Sequence, residues 1–275
     1  MAIEAERREL PSIEVSHLGA AYPGGERALK DVSFRIVGGR ICGLVGPNGS
    51  GKSTLFKSIM GLLAPVSGWV RIGGRDIAHA RREGTVAYVP QAEEVDWTFP
   101  VSVRDVVAMG RQGRMGFLRI PSAEDRRRVA ESLARVGMEG FEERQIGELS
   151  GGQRKRVFLA RALAQEASIV LLDEPFTGVD QTTEDAITAI LKGLRDEGRL
   201  LLVSTHDLAG LPDLCDDVIL LAGRLVAAGP VPEVYTAGNL EAAFGAPRHR
   251  ADMSGVPSPL AGEGGPAAFR GLGAG

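Results

Sequence analysis

Short apolar runs alternate along this chain with segments in which apolar residues recur at steps of three and four. Ile41-Cys42-Gly43-Leu44-Val45, Ile169-Val170-Leu171-Leu172 and Leu200-Leu201-Leu202-Val203-Ser204 offer almost no polar face and read as strands buried on both sides. Leu55, Phe56, Ile59, Met60 and Leu63 follow the first run at helical spacing, and Phe158, Leu159, Ala162 and Leu163 precede the second. Ile187, Ile190, Leu191 and Leu194 mark a further helix between the second and the third. Strands that alternate with helices predict an α/β core built on a parallel sheet.

The flanking pattern is different. Residues 12–37 read as a strand-rich opening with Pro23-Gly24-Gly25 as its turn, and residues 68–90 as short strands. From Val101 to about Gly147 the pattern becomes helical. Ser102 with Asp105, and Ser122 with Asp125, have the spacing of helix starts, and Val129, Leu133 and Val136 lie on one face of the second helix. Asp217 to Leu221 and Leu225 to Ala227 form a hairpin around Gly223-Arg224. Beyond Gly245 the chain is rich in Gly, Pro and Ala, and this tail is expected to be disordered. The expected organisation is one domain over 12–245, a helical insertion over about 101–150, and the tail 246–275.

Three motifs on this framework carry chemistry. Gly46-Pro47-Asn48-Gly49-Ser50-Gly51-Lys52-Ser53-Thr54 fits the phosphate-cradling pattern G-x-x-x-x-G-K-[ST] and stands between a predicted strand and a predicted helix. A helix N-terminus there turns bare N–H groups toward an anion, Lys52 can reach the β- and γ-phosphates, and the Ser53 hydroxyl suits Mg²⁺. The expected ligand is a nucleoside triphosphate. Asp173-Glu174 closes an apolar strand with two carboxylates, where Asp173 can hold Mg²⁺ through water and Glu174 can polarise an attacking water. Leu149-Ser150-Gly151-Gly152-Gln153 has two readings, a capping box at a helix start or a second anion-facing N-terminus suited to a γ-phosphate.

With these motifs in this order the chain resembles the ATPase subunit of an ABC transporter. The resemblance implies a P-loop NTPase of the ABC ATPase type: a mixed-sheet core, an N-terminal antiparallel β subdomain and the inserted α-helical subdomain. It also implies roles for scattered residues. Tyr22 would stack on adenine, Gln91 would link the Mg²⁺ and nucleotide site to a transmembrane partner, Asp180 would lie in the loop between two subunits, and His206 would contact the γ-phosphate. Each has a plainer alternative as a loop or structural residue. The family pairs two subunits head to tail, so that Ser150, Gly151, Gly152 and Gln153 complete the site of the other subunit, and a homodimer is the simplest version. Catalysis would then rest on Glu174 as base with His206 and Gln91, and the cofactors are ATP and Mg²⁺.

The cargo follows from resemblance alone. Residues 94–103, residues 109–116 and Glu174-Pro175-Phe176-Thr177-Gly178-Val179-Asp180 look like the manganese, zinc and iron uptake branch. The partners implied are a membrane permease and, indirectly, an extracytoplasmic metal-binding protein, with the chain on the cytoplasmic face of the membrane. Siderophore or haem import is the alternative cargo class. A soluble assembly ATPase, such as one building iron–sulfur clusters, is the alternative outside transport. An ABC-type ATPase of translation or repair normally carries two sites or a long coiled-coil insertion, neither of which this sequence has.

Composition trims the picture further. A net charge of -3 with 24% charged residues gives no basic field for nucleic acid, and no apolar run approaches the roughly 20 residues of a membrane span. Cys42 and Cys215 read as small buried hydrophobes. His17, His79, His206 and His249 show no metal-ligand spacing. Trp97 and Phe99, in a chain with 5% aromatics, are candidates either to anchor the permease or to pack the helical lobe against the core.

Overall fold

A computed structural model describes residues 10–91, 100–116 and 118–245. The elements in chain order are β1 (Ser12–Ala21), β2 (Arg27–Val37), β3 (Arg40–Val45), α1 (Lys52–Ile59), β4 (Ser67–Ile72), β5 (Arg75–Asp76), α2 (Ile77–Glu83) and β6 (Val86–Val89). They continue as α3 (Val103–Ala108), α4 (Ala123–Arg135), α5 (Gly151–Ala164), β7 (Ile169–Asp173), α6 (Gln181–Asp196) and β8 (Leu200–Thr205). The last are α7 (Leu211–Leu214), β9 (Asp217–Leu221), β10 (Leu225–Pro230), α8 (Val231–Val234) and α9 (Ala237–Phe244).

Two sheets result. One is antiparallel in the order β2-β1-β4-β5, its first hairpin closed by the Gly25 N–H donating to the Tyr22 carbonyl at 3.0 Å. The other runs β10-β9-β3-β8-β7-β6 and is parallel except for the β9–β10 hairpin. Its all-apolar strands are divided residue by residue between two cores, as side chains of period two require. Cys42, Leu44, Ile169, Leu171, Leu200 and Leu202 face the core shared with α1 and the antiparallel sheet. Ile41, Val45, Val170, Leu172, Leu201 and Val203 face the core built with α3 to α6.

The parallel register decides where function gathers. Val45 pairs with Thr205, and Asp173 with Ser204, so three adjacent strands end together and their following loops share one edge. At such carboxyl ends an open α/β sheet binds its ligands.

The helical part is held by capping and by one buried cation. Ser102/Asp105 and Ser122/Asp125 both form complete capping boxes, as their spacing predicted. Arg111 is buried: its Nε donates to Asp125 at 2.9 Å and its Nη1 to the Ala164 carbonyl at 2.9 Å and to Glu166 at 2.6 Å. A desolvated guanidinium is tolerated only with such partners, and here they tie the turn after α3 to α4 and to the end of α5.

Two departures from the sequence reading are local. Residues 68–90 contain α2 besides the short strands. It is started by the Asp76 carboxylate on the His79 N–H and stopped by Gly84 at φ 67°, and it buries only Ala80, so it has no apolar stripe to betray it. The strand after Gly223 runs on to Pro230. Trp97, Phe99, His249 and the tail 246–275 lie outside the described residues.

Candidate functional site

The loop 46–51 connects β3 to α1 and is shaped by close backbone approach. A Cβ on Gly46 would stand 2.0 Å from the Leu221 carbonyl oxygen, and Gly51 at φ 97° would push a Cβ to 2.5 Å from Leu29 Cδ2. Only glycine meets both demands. The loop is further pinned from β9–β10, where the Gly223 N–H donates to the Ser50 carbonyl at 2.9 Å. Gly51 caps α1 without any side chain, so the first N–H groups of α1 stay available to a ligand.

Two buried polar side chains, Lys52 and Ser50, belong to this loop and its helix start. Lys52 is buried, and its Nζ donates to the Gly46 carbonyl at 2.7 Å and to that of Pro47 at 3.2 Å. Burial pushes the Lys52 amine down, while Glu174 and Asp173 pull the other way. Ser50 Oγ is buried with no hydrogen-bond partner among the described residues. A bare helix start, a desolvated ammonium and an orphaned hydroxyl fit a polyphosphate.

Across the edge, Asp173 and Glu174 are built for different work. Asp173 is buried and takes a hydrogen bond at 2.5 Å from Ser204 Oγ on one oxygen, with Ser53 Oγ and the Tyr88 hydroxyl each at 3.3 Å from the other. Ser53 and Asp173 thus stand together as hard oxygen donors, which is the chemistry Mg²⁺ selects.

Glu174 is the unusual residue. Its φ of 49° places a non-glycine residue in the left-handed region, at a cost of about 1–2 kcal/mol. Its N–H is held by Ser204 Oγ at 2.9 Å and the Ser204 carbonyl at 3.2 Å. One carboxylate oxygen, Oε2, meets three side chains: Gln91 Nε2 at 2.6 Å, Thr177 Oγ1 at 3.0 Å and His206 Nδ1 at 3.4 Å. Gln91 Nε2 thus meets Glu174, and Ser53 meets Asp173, on the same edge of the sheet.

At the start of α5 the Ser150 motif forms the capping box. Ser150 Oγ accepts from the Gln153 N–H at 3.3 Å and Gln153 Oε1 from the Ser150 N–H at 2.9 Å, a closed capping box. The donors expected to be bare are thereby reduced to Gly151 and Gly152, whose N–H groups have no intrahelical partner. Asp180 caps α6 through the Thr183 N–H at 2.8 Å, a bond that holds its carboxyl below the ordinary 3.8. Tyr22 is 42% exposed, and Lys57 of the P-loop helix stands 5.4 Å from its ring centroid. His17 pairs with Asp31 and His79 with Arg75 and Glu83, far apart in sequence from His206. Cys42 and Cys215 are free and buried, burial pushing the first thiol well up and the second to about 12.

Ser204, Tyr88, Thr177 and Lys155 belong to this constellation and were not singled out by sequence. Lys155 Nζ reaches the carbonyls of Glu174 at 3.4 Å, Pro175 at 3.2 Å and Thr177. Their only sequence signal is position: next to a strand end or one turn into a motif-bearing helix.

A glycine-built phosphate loop beside a strand-end acid pair, on a mixed sheet with an antiparallel sheet and a helical lobe, defines a nucleotide-hydrolysing ATPase. The chain belongs to the ABC transporter family, whose family model matches residues 29–177. It is 56% identical to the chelated iron transport system membrane protein YfeB of Yersinia pestis, over 90% of this chain and 83% of that one. It is 58% identical to the manganese transport system ATP-binding protein MntA of Synechocystis sp., over 85% and 90% of the two chains. Among solved structures, CbiO1 of Clostridium perfringens, part of the ABC transporter complex CbiONQ, superposes with a TM-score of 0.71 at 31% identity, covering 83% of this chain and 92% of that one. The protein is the ATP-hydrolysing subunit of a membrane transport system, and no described helix is long and apolar enough to cross a membrane itself.

Proposed function

We propose that this ATPase powers import of a divalent transition metal, manganese or iron, through a separate permease on whose cytoplasmic face it sits. The observation that carries the cargo class is identity above one half, over most of both chains, to a manganese and a chelated-iron transport subunit. Zinc import is a further outcome of the same assay. A periplasmic or otherwise extracytoplasmic binding protein would supply the metal, and nucleic acid has no part.

The chemistry is carried by this chain's own residues. Lys52, Ser50 and the α1 N–H groups hold the β- and γ-phosphates, and Ser53 with Asp173 holds Mg²⁺, which supplies charge neutralisation when bound. Glu174 takes the proton of the attacking water, and His206 and Gln91, already on its carboxylate, keep that group aimed. Tyr22 stacks on the adenine ring of the nucleotide. Gly151 and Gly152 face the γ-phosphate held by a second copy, and Asp180 lies in the loop that meets that copy.

The deciding experiment is uptake of radiolabelled manganese, iron and zinc, each supplied alone, by cells expressing the wild type or Glu174→Gln with the permease. Uptake lost in the variant, with a polytopic membrane protein recovered in mild detergent, supports the reading. Equal uptake in both, or recovery only of a soluble complex, overturns it. Composite sites are tested by mixing Lys52→Ala with Ser150→Arg. In a head-to-tail pair about a quarter of the sites regain both motifs, so hydrolysis reappears only in the mixture.

A further inference from the structure

We infer that Lys155 is a positioning residue for Glu174, transmitting to it the state of the helix start at Ser150. The inference rests on Glu174 being the base, as proposed above. Its ground is a juxtaposition of two kinds of residue. Lys155 sits on α5, five residues beyond Ser150, yet its ammonium group is bound to the loop that follows β7.

The contacts fall on consecutive parts of one strained segment. Glu174 has φ 49°, and such a residue keeps that conformation only when its neighbours over-determine it. Ser204 fixes its N–H from one side. Lys155 fixes its carbonyl from the other, at 3.4 Å, and continues to the carbonyls of Pro175, at 3.2 Å, and Thr177. Thr177 in turn donates its hydroxyl to the Glu174 carboxylate at 3.0 Å. The ammonium group therefore touches both the backbone of the base and the residue that holds its side chain. Burial pushes the Lys155 amine down, with Glu174 the opposing influence, so its charge is paired with these carbonyls in a partly desolvated place.

Transmission follows from stiffness. The first turn of α5 is packed on the first turn of α6, where a Cβ on Gly152 would lie 3.1 Å from Thr183 Oγ1, and Asp180 caps α6 through the same Thr183. The segment from Glu174 to Asp180 is thus clamped at one end by Lys155 and at the other by the α6 cap. A phosphate drawing on the Gly151 and Gly152 N–H groups displaces α5 as a rod, and bonds of 3.2–3.4 Å are already near the limit at which a small shift breaks or tightens them. In a head-to-tail pair, the phosphate that does this belongs to the other copy's site. Lys155 then makes the posture of one base depend on the nucleotide held opposite.

The test uses the full-length protein with Lys155→Met, which keeps the apolar stem, and Lys155→Arg, which restores a cationic donor. Steady-state ATP hydrolysis should show kcat reduced at least tenfold in Lys155→Met with KM for ATP within twofold of wild type, and Lys155→Arg recovering half or more of the rate. In a Glu174→Gln background Lys155→Met should still dimerise with ATP, since the Ser150 box is untouched. An unchanged kcat overturns the inference. So does loss of the ATP-induced dimer, which would make Lys155 a mere prop of the α5 start. Should Lys155→Met not fold, Lys155→Gln, which keeps a neutral donor, is held to the same thresholds. Wild-type turnover by Glu174→Gln alone would instead sink the reading of Glu174 as base, and so is distinguishable from failure at Lys155.

Discussion

Two glycine-bearing helix starts, those of α1 and α5, are built in opposite ways. α1 begins after Gly51 with no side-chain cap, whereas α5 begins with the Ser150–Gln153 box closed on itself. The difference is in who completes the turn: at α1 the ligand must satisfy the donors, and at α5 the protein has already satisfied half of them. The other two boxes sharpen the lesson. Ser102 and Ser122 are matched by aspartates three residues on, and Ser150 by a glutamine. A carboxylate at that position favours an isolated helix through the dipole, yet it would repel a phosphate brought to the same turn. The neutral residue is found at the one box where an anion is expected.

The largest effect should come from the carboxylate proposed as base: Glu174→Gln should lose about 10²–10⁴-fold in kcat while still binding ATP, because an amide cannot accept the proton. Near-normal turnover would leave the two starts without a shared reaction. Next, Gln153→Glu keeps the S-x-x-E box but adds charge beside Gly151 and Gly152. It should lower kcat/KM about tenfold or more with the melting temperature almost unmoved. Equal activity would mean that no anion visits this turn.

Smaller effects separate the glycines. Gly51→Ala must fit φ 97° and a contact at 2.5 Å, and should destabilise the protein by about 1–2 kcal/mol. Gly151→Ala meets open space in a helix and should stabilise it by up to about 1 kcal/mol, as urea unfolding of each would reveal. A separate effect concerns acid. Hydrogen bonds from the Ser122 hydroxyl and N–H, then from Arg111, hold the Asp125 carboxyl at about 2, below its ordinary 3.8. A depressed carboxyl contributes stability above 3.8 that is lost as pH falls through about 2. The Ser150–Gln153 box has nothing to titrate, so Asp125→Asn should lower stability at pH 7 and flatten its decline between pH 4 and 2, followed by circular dichroism.

How far the sequence alone reaches depends on whether a feature is local. The all-apolar strands, the three S-x-x-D/Q boxes and the glycine loop are legible because each is written within a few consecutive residues. α2 was missed because its only buried residue is Ala80, leaving caps as its sole signal. Tyr88, Thr177, Ser204 and Lys155 were missed for another reason. Their partners lie up to 85 residues away, and nothing in a serine's neighbours says which strand will run beside it. Gln91 marks the boundary: its place near the site was legible by resemblance, but its bond to Glu174 depends on where two strand ends meet.

The pairing of Asp173 with Ser204 has a consequence for folding as well as for chemistry. β7 and β8 are apolar up to their last residues, and such runs say little about their own alignment, since a slide by two residues exchanges one leucine for another. The 2.5 Å hydrogen bond at their shared end is a polar mark that only the native alignment satisfies, because a slipped strand would bury the carboxylate beside hydrocarbon. The acid at the strand end is in this way also the pin that sets the sheet, so a chain that misaligns these strands is selected against by its own unpaired carboxylate before any nucleotide arrives.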